Sequence, residues 1–233
     1  MMRRLGILGG TFDPLHCGHL DVGIAADAAL GLTELLVIPS NIPPHRGAPS
    51  ASAFHRFAMV ALGIAGRPHW RASDIELRTA APSYTSTTLD RVRGDGYAAT
   101  EVFFILGADA FAEIETWRNY PAVVDQAHFV VVSRPGVSVH DLGARVPSLA
   151  PRMTTATDRS LASDRPLIFL IDAPTADVSA TAIRGLVAAG RSIVGLVPAA
   201  VAQHIEQHGL YAHEWPASDA RTGTAAGRLH GQN

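Results

Sequence analysis

Gly9-Gly10-Thr11-Phe12-Asp13-Pro14-Leu15-His16-Cys17-Gly18-His19 lies between a short apolar run, Leu5-Gly6-Ile7-Leu8, and an amphipathic pattern through Leu20, Ile24, Ala28 and Leu30. That order predicts a strand, a tight turn and a helix over Leu15–Leu30. The glycines let the backbone turn sharply and approach a ligand, and Asp13-Pro14 forms a turn that leads into a helix start. Unpaired N–H groups and the positive end of the helix dipole make such a start an anion site, so a phosphate fits there. His16 and His19, three apart, share a face of the first helical turn. The glycine spacing is not that of the G-x-G-x-x-G dinucleotide fingerprint, and no Cys/His cluster at ligand spacing lies nearby.

Outward from this stretch, apolar runs recur at Glu34–Pro39, Val102–Leu106, Phe129–Ser133 and Leu167–Ile171, with a weaker one at Trp70–Leu77. Helical patterns separate most of them: Ala53–Ile64, Ser86–Arg93, Ala110–Glu115, Tyr120–Gln126, Ala180–Ala189 and Ala199–Gln207. Short continuous strands alternating with helices predict an α/β protein with a doubly wound parallel sheet in a single domain. Ligands bind such sheets beyond the carboxyl ends of the strands, and each candidate below follows a strand or opens a helix.

The loop Pro39–Gly47 presents His45 and Arg46, a possible phosphate clamp or an ordinary proline-rich loop. Ser83-Tyr84-Thr85-Ser86 opens a helix, by simple capping or with amides that face an anion. Gly107-Ala108-Asp109 follows a strand, and there a carboxylate can accept from a ribose hydroxyl; Trp117 can stack on a ring. Asp177–Gly185 carries Ser179 and Thr181 as caps and Arg184 in the first turns of a second anion-binding helix start. Residues 138–164 have no sustained period and are expected to form a partly mobile surface excursion, with Arg152 and Arg159 leaving open a lid.

Composition bounds the class. The 233 residues are 47% hydrophobic and 17% charged, and the net charge of −2 gives no general attraction to nucleic acid or anionic membrane. The lone cysteine, Cys17, excludes an intrachain disulfide framework, and no apolar stretch reaches the ~18 residues of a spanning helix. A cytoplasmic protein is expected, with its core domain over 1–211, a disordered tail over 212–233 and homo-oligomerisation left open.

Taken together, Gly-Thr-Phe-Asp-Pro-Leu-His-Cys-Gly-His, Pro-Pro-His-Arg, Ser-Tyr-Thr, Gly-Ala-Asp with Trp117, and Ser-Ala-Thr-Ala-Ile-Arg resemble, in order, the motifs of the bacterial nicotinate-nucleotide adenylyltransferases of the H-x-G-H superfamily. The resemblance covers roughly residues 3–211 and implies a Rossmann-like nucleotidyltransferase fold. It implies that nicotinate mononucleotide and ATP are the substrates, with Mg²⁺ carried by the nucleotide phosphates and no protein metal site. Catalysis is then carried by His16, His19 and Arg184. ATP contacts fall to Gly9, Gly10, Thr11, Phe12, Gly18, Arg46, Gly107, Asp109, Ser179, Thr181 and Arg184, and the mononucleotide to Asp13, His45, Tyr84, Thr85 and Trp117. Arg46 stands where the family pattern has lysine, and Ala180 where it has serine. A pantetheine-phosphate or glycerol-phosphate nucleotidyltransferase and an inactive nucleotide sensor are the alternatives.

Overall fold

The computed structural model describes residues 3–44, 47–155 and 164–212. Its strands are β1 (Leu5–Gly10), β2 (Glu34–Pro39), β3 (Trp70–Ala72), β4 (Val102–Gly107), β5 (His128–Val132), β6 (Met153–Thr154) and β7 (Ile168–Ile171). Helices α1 (Cys17–Leu30), α2 (Ala53–Gly63), α3 (Thr85–Gly94), α4 (Ala108–Phe111), α5 (Leu142–Arg145), α6 (Ala180–Ala188) and α7 (Ala199–Gln207) surround them.

The seven strands run parallel in the order β3-β2-β1-β4-β5-β7-β6. The chain winds outward from β1 to β3 and then returns to place β4 on the other side of β1. The crevice of a doubly wound sheet opens at such a reversal. The Gly9–His19 stretch leaves β1 at that point.

Alternation along each strand supplies both faces. Ile7, Ile38, Phe104, Phe129 and Val131 pack with Leu89 and Val92 of α3, Phe111 and Val123. Leu8, Val37, Ile105, Val130 and Val132 pack with Leu20, Val22 and Ala26 of α1 and Val60 of α2. A third cluster joins α2 to the C-terminal helices through Met59, Ile183, Val201 and Ile205. Each fully buried side chain of this size contributes about 1.5–3 kcal/mol relative to exposure.

Several boundaries differ from the sequence reading. The first helix starts at Cys17, because His16 is extended (φ −138°, ψ 169°) after the Pro14 turn. Strand β3 stops at Ala72, and Asp74–Leu77 closes a turn in which Leu77 N–H donates to the Asp74 carbonyl at 2.8 Å. The helical pattern at Tyr120–Gln126 yields only a 3-10 turn, Ala122–Asp125, and the one at Ala110–Glu115 is divided between α4 and a 3-10 turn at Ile114–Thr116.

The larger correction concerns residues 138–155. They are not a loose excursion: Val139, Leu142, Val146 and Leu149 are buried in the core, and β6 pairs with β7 at the sheet edge. The spacing of those four apolar residues is helical and was the signal for packing. Arg152 is an internal fastener, donating to Asp125 Oδ1 at 2.7 Å, to the Val124 carbonyl at 2.6 Å and to the Pro166 carbonyl at 2.9 Å. It is therefore not a lid cation. Arg159 and the expected tail from residue 213 onward lie outside the described residues. Among the described residues no helix is long and apolar enough to cross a membrane.

Candidate active site

At the reversal of strand order, Gly10 leaves room for Phe12, since a Cβ on Gly10 would stand 2.8 Å from the Phe12 ring. Phe12 is 1% exposed and adopts φ +50°, a left-handed conformation that costs a bulky residue on the order of 1–3 kcal/mol. The strain is sustained by packing: the Phe12 ring meets His19 edge-on, with centroids 4.9 Å apart.

The two imidazoles stack on each other, with centroids 3.6 Å apart and planes 21° apart, but they are not equivalent. His19 Nδ1 accepts the backbone N–H of His16 at 3.3 Å. In the neutral ring the proton then belongs on Nε2, which becomes a donor. His16 is only 2% exposed, and its Nδ1 is buried with no hydrogen-bond partner among the described residues. Burial, reinforced by the positive charge of Arg134, pulls the His16 pKa down to about 4. Both histidines were expected at the phosphates; His16 is the buried member of the stacked pair.

Arg134 follows the end of β5 in the sequence. The structure brings it from the carboxyl end of β5 across to the signature loop, where it donates to the Gly18 carbonyl at 3.0 Å. Gly18 and Gly107 are the glycines this crossing requires, because a Cβ on either would stand 2.8 Å from Arg134 side-chain atoms. A cation just past a parallel strand was the available signal.

Asp13, expected at the mononucleotide, is 5% exposed and engaged internally. Its carboxylate accepts from Ser50 N–H at 2.7 Å, Ala51 N–H at 3.1 Å and the Tyr211 hydroxyl at 2.7 Å. It therefore fastens the loop before α2 and the chain after α7 to the signature. Burial first, and the bond to Asp13 second, raise the Tyr211 pKa far above its usual value. The same correction applies in part to Arg184, which donates to the Asp13 carbonyl at 2.7 Å and to Thr181 Oγ1 at 3.3 Å while remaining 30% exposed. Ser179 caps α6 by accepting Ala182 N–H at 3.2 Å.

Arg56, unremarked in the sequence, is 1% exposed and donates to the carbonyls of Ala51, Thr11, Ser40 and Asn41. One buried guanidinium thus ties the loops that follow β1 and β2 together. Burial lowers its pKa, and the negative charge of Asp13 offsets part of that.

On the other flank, Ser83 does not cap α3. Its hydroxyl accepts the Asn41 N–H at 2.8 Å, and Tyr84 stands at the N-cap with no side-chain bond. The first amides of α3, from Thr85, therefore open a helix that no side chain caps. Arg118, also unremarked, lies 4.4 Å over the Tyr84 ring, and the neighbouring Trp117 meets Phe104 edge-on at 6.1 Å. Asp109 is exposed beside Gly107. His45 and Arg46 lie outside the described residues.

Cys17 opens α1 with its amide on the Leu196 carbonyl at 2.9 Å and its thiol 3.5 Å from the Gly195 carbonyl. Burial, then the charge of Asp21, raises the thiol pKa, so the thiolate is disfavoured. A helix start does not activate it here.

Residues 7–186 match the family model described as cytidylyltransferase-like. The chain is 40% identical over 206 residues to a "Probable nicotinate-nucleotide adenylyltransferase" of Cronobacter sakazakii, covering 87% of this chain and 93% of that protein. It is 39% identical over 211 residues to the Pseudomonas fluorescens protein of the same name, covering 91% and 98%. A solved structure, nicotinic acid mononucleotide adenylyltransferase of Plasmodium falciparum complexed with NaAD, has a TM-score of 0.66 at 17% identity, covering 90% and 98%.

Proposed function

Because the chain belongs to the nicotinate-nucleotide adenylyltransferases of the cytidylyltransferase-like family, we propose that the crevice over β1 and β4 carries out adenylyl transfer by fixed geometry, with no covalent intermediate. The enzyme joins nicotinate mononucleotide to the AMP part of ATP, giving deamido-NAD and pyrophosphate. A phosphate oxygen of the mononucleotide attacks the α-phosphorus of ATP. The bond from that phosphorus to the β-bridging oxygen breaks in line, and pyrophosphate leaves.

One observation carries this reading: His19 Nδ1 accepts the His16 amide at 3.3 Å, which leaves the proton of the neutral ring on Nε2. In our reading that donor meets the negative charge that grows on the α-phosphate oxygens. His16 is a positioning residue, stacked behind it at 3.6 Å. Gly9, Gly10, Thr11 and Phe12 give the nucleotide a close approach, and Gly18 with Arg134 closes the opposite wall. Arg184, with Ser179 and Thr181 at the start of α6, steadies the outer phosphates, and Gly107 with Asp109 receives the ribose.

The mononucleotide then lies toward α3. Uncapped amides from Thr85 and the guanidinium of Arg118 favour an acid over a neutral amide on the pyridine ring, with Trp117 and Tyr84 as its walls. His45 and Arg46 are assigned to the substrate phosphates on sequence grounds. Asp13 and Arg56 act underneath by holding the loops. The donors gathered here are amides, imidazoles and guanidinia, which suit phosphate oxygens rather than a bare cation, so Mg²⁺ is expected to travel with ATP. When bound, Mg²⁺ withdraws negative charge from the leaving pyrophosphate.

Pyrophosphate release from ATP, with the acid and the amide mononucleotide assayed side by side, tests the reading. Turnover should require the mononucleotide and favour the acid; no release with either would overturn it.

A further inference from the structure

Where α2 packs on α7, His55, His204 and His208 bring three imidazoles together. One ring nitrogen from each lies within 4.8 Å of the others, and His55 Nδ1 stands 3.1 Å from His204 Nε2. We propose that these three side chains bind one divalent transition-metal ion of the zinc class, fastening α7 to α2.

The geometry is that of ligands around a common centre. Zinc–imidazole bonds of about 2.0–2.1 Å at tetrahedral angles place neighbouring nitrogens roughly 3.4 Å apart, so the closest pair, at 3.1 Å, opens slightly and the wider separations, within 4.8 Å, close by side-chain rotation when the ion binds. His204 and His208, four apart at the end of α7, share one helix face, an arrangement helices use to present paired metal ligands. A single N–H···N bond accounts for one edge of the imidazole triangle, whereas a cation accounts for all three. His55 and His204 are half-buried and His208 is exposed, which closes the protein side and leaves coordination positions toward water.

The ligands also sit on rigid supports. Met59 of α2 and Val201 and Ile205 of α7 are each no more than 2% exposed and share one cluster. Imidazole donors select Zn²⁺, Co²⁺, Ni²⁺ or Cu²⁺, while Mg²⁺ prefers oxygen, so the ion that accompanies ATP does not compete. The site has a structural consequence. His55 precedes Arg56, which holds the Thr11 carbonyl, and His208 precedes Tyr211, which holds Asp13. A metal joining α2 to α7 therefore stiffens both supports of the signature loop.

This proposal stands apart from the adenylyl-transfer reading and is tested without nucleotide. Untagged, chelator-stripped protein is titrated with Zn²⁺ by calorimetry, and its melting temperature is followed for the wild type, His55→Gln and His204→Gln. The expected result is one Zn²⁺ per chain and a rise in melting temperature of about 5–10 °C at a hundredfold excess over Kd, both lost in the variants. If either variant fails to fold, the exposed His208→Gln replaces it and should weaken binding at least ~10-fold. No saturable binding by the wild type, or unchanged binding in correctly folded variants, would overturn the proposal.

Discussion

Tyr211 donates its hydroxyl to Asp13 Oδ1 at 2.7 Å, joining residues 198 positions apart in the chain. The bond closes the C-terminal segment over the underside of the signature loop. Tyr211→Phe removes a hydrogen bond to a carboxylate that keeps the Ser50 and Ala51 amides. The expected loss is about 1–3 kcal/mol of stability, read as a lower urea midpoint with unchanged slope, together with a higher KM for ATP. A midpoint equal to wild type would remove Asp13–Tyr211 from the supports of the site.

Acid should weaken the fold through histidines as well as carboxylates. His16 and His128 are both buried and held neutral, each with its pKa lowered to about 4, chiefly by burial. Between that value and the ordinary 6.5 the unfolded chain binds protons that the folded chain refuses. Stability is therefore complete above pH 6.5 and falls as the pH drops toward 4, by up to ~3 kcal/mol for each group. Urea midpoints at pH 7.0, 6.0 and 5.0 measure the slope, and His128→Asn should flatten it. A wild-type midpoint that is flat across this window would contradict the buried, neutral assignment.

Arg118 offers a direct handle on substrate choice. If its guanidinium, 4.4 Å over the Tyr84 ring beside the uncapped start of α3, helps to receive a carboxylate, Arg118→Met should weaken use of the acid mononucleotide more than of the amide. The ratio of their kcat/KM values is expected to fall about tenfold, the worth of one charge-assisted hydrogen bond. Equal losses on both substrates would assign Arg118 a packing role.

The fold was legible because β-branched runs and helical periods alternate plainly, and the signature was legible because its residues are contiguous. The helpers were not. Arg56, Arg118 and Arg134 reach the site from other elements, and nothing local distinguishes them from surface arginines until the strand order is known. Nor does the sequence show that His16 is the buried member of the imidazole pair. Their spacing gives a shared face, whereas the burial of His16 near the positive charge of Arg134 is a property of the folded chain. Asp13 misled for a related reason: a carboxylate in a ligand loop reads as a ligand contact, yet the partners that claim it come from residues 50, 51 and 211. In 138–155, polar residues masked a helical apolar spacing.

The central claim is that His19 supplies a fixed donor to the reacting phosphate while His16 only positions it. Single-turnover pyrophosphate release with saturating ATP and nicotinate mononucleotide measures this directly for His19→Ala, with its fold verified by an unchanged urea midpoint. The account predicts a rate at least ~10²-fold below wild type with nucleotide binding largely retained. A correctly folded His19→Ala enzyme turning over at nearly the wild-type rate would contradict it.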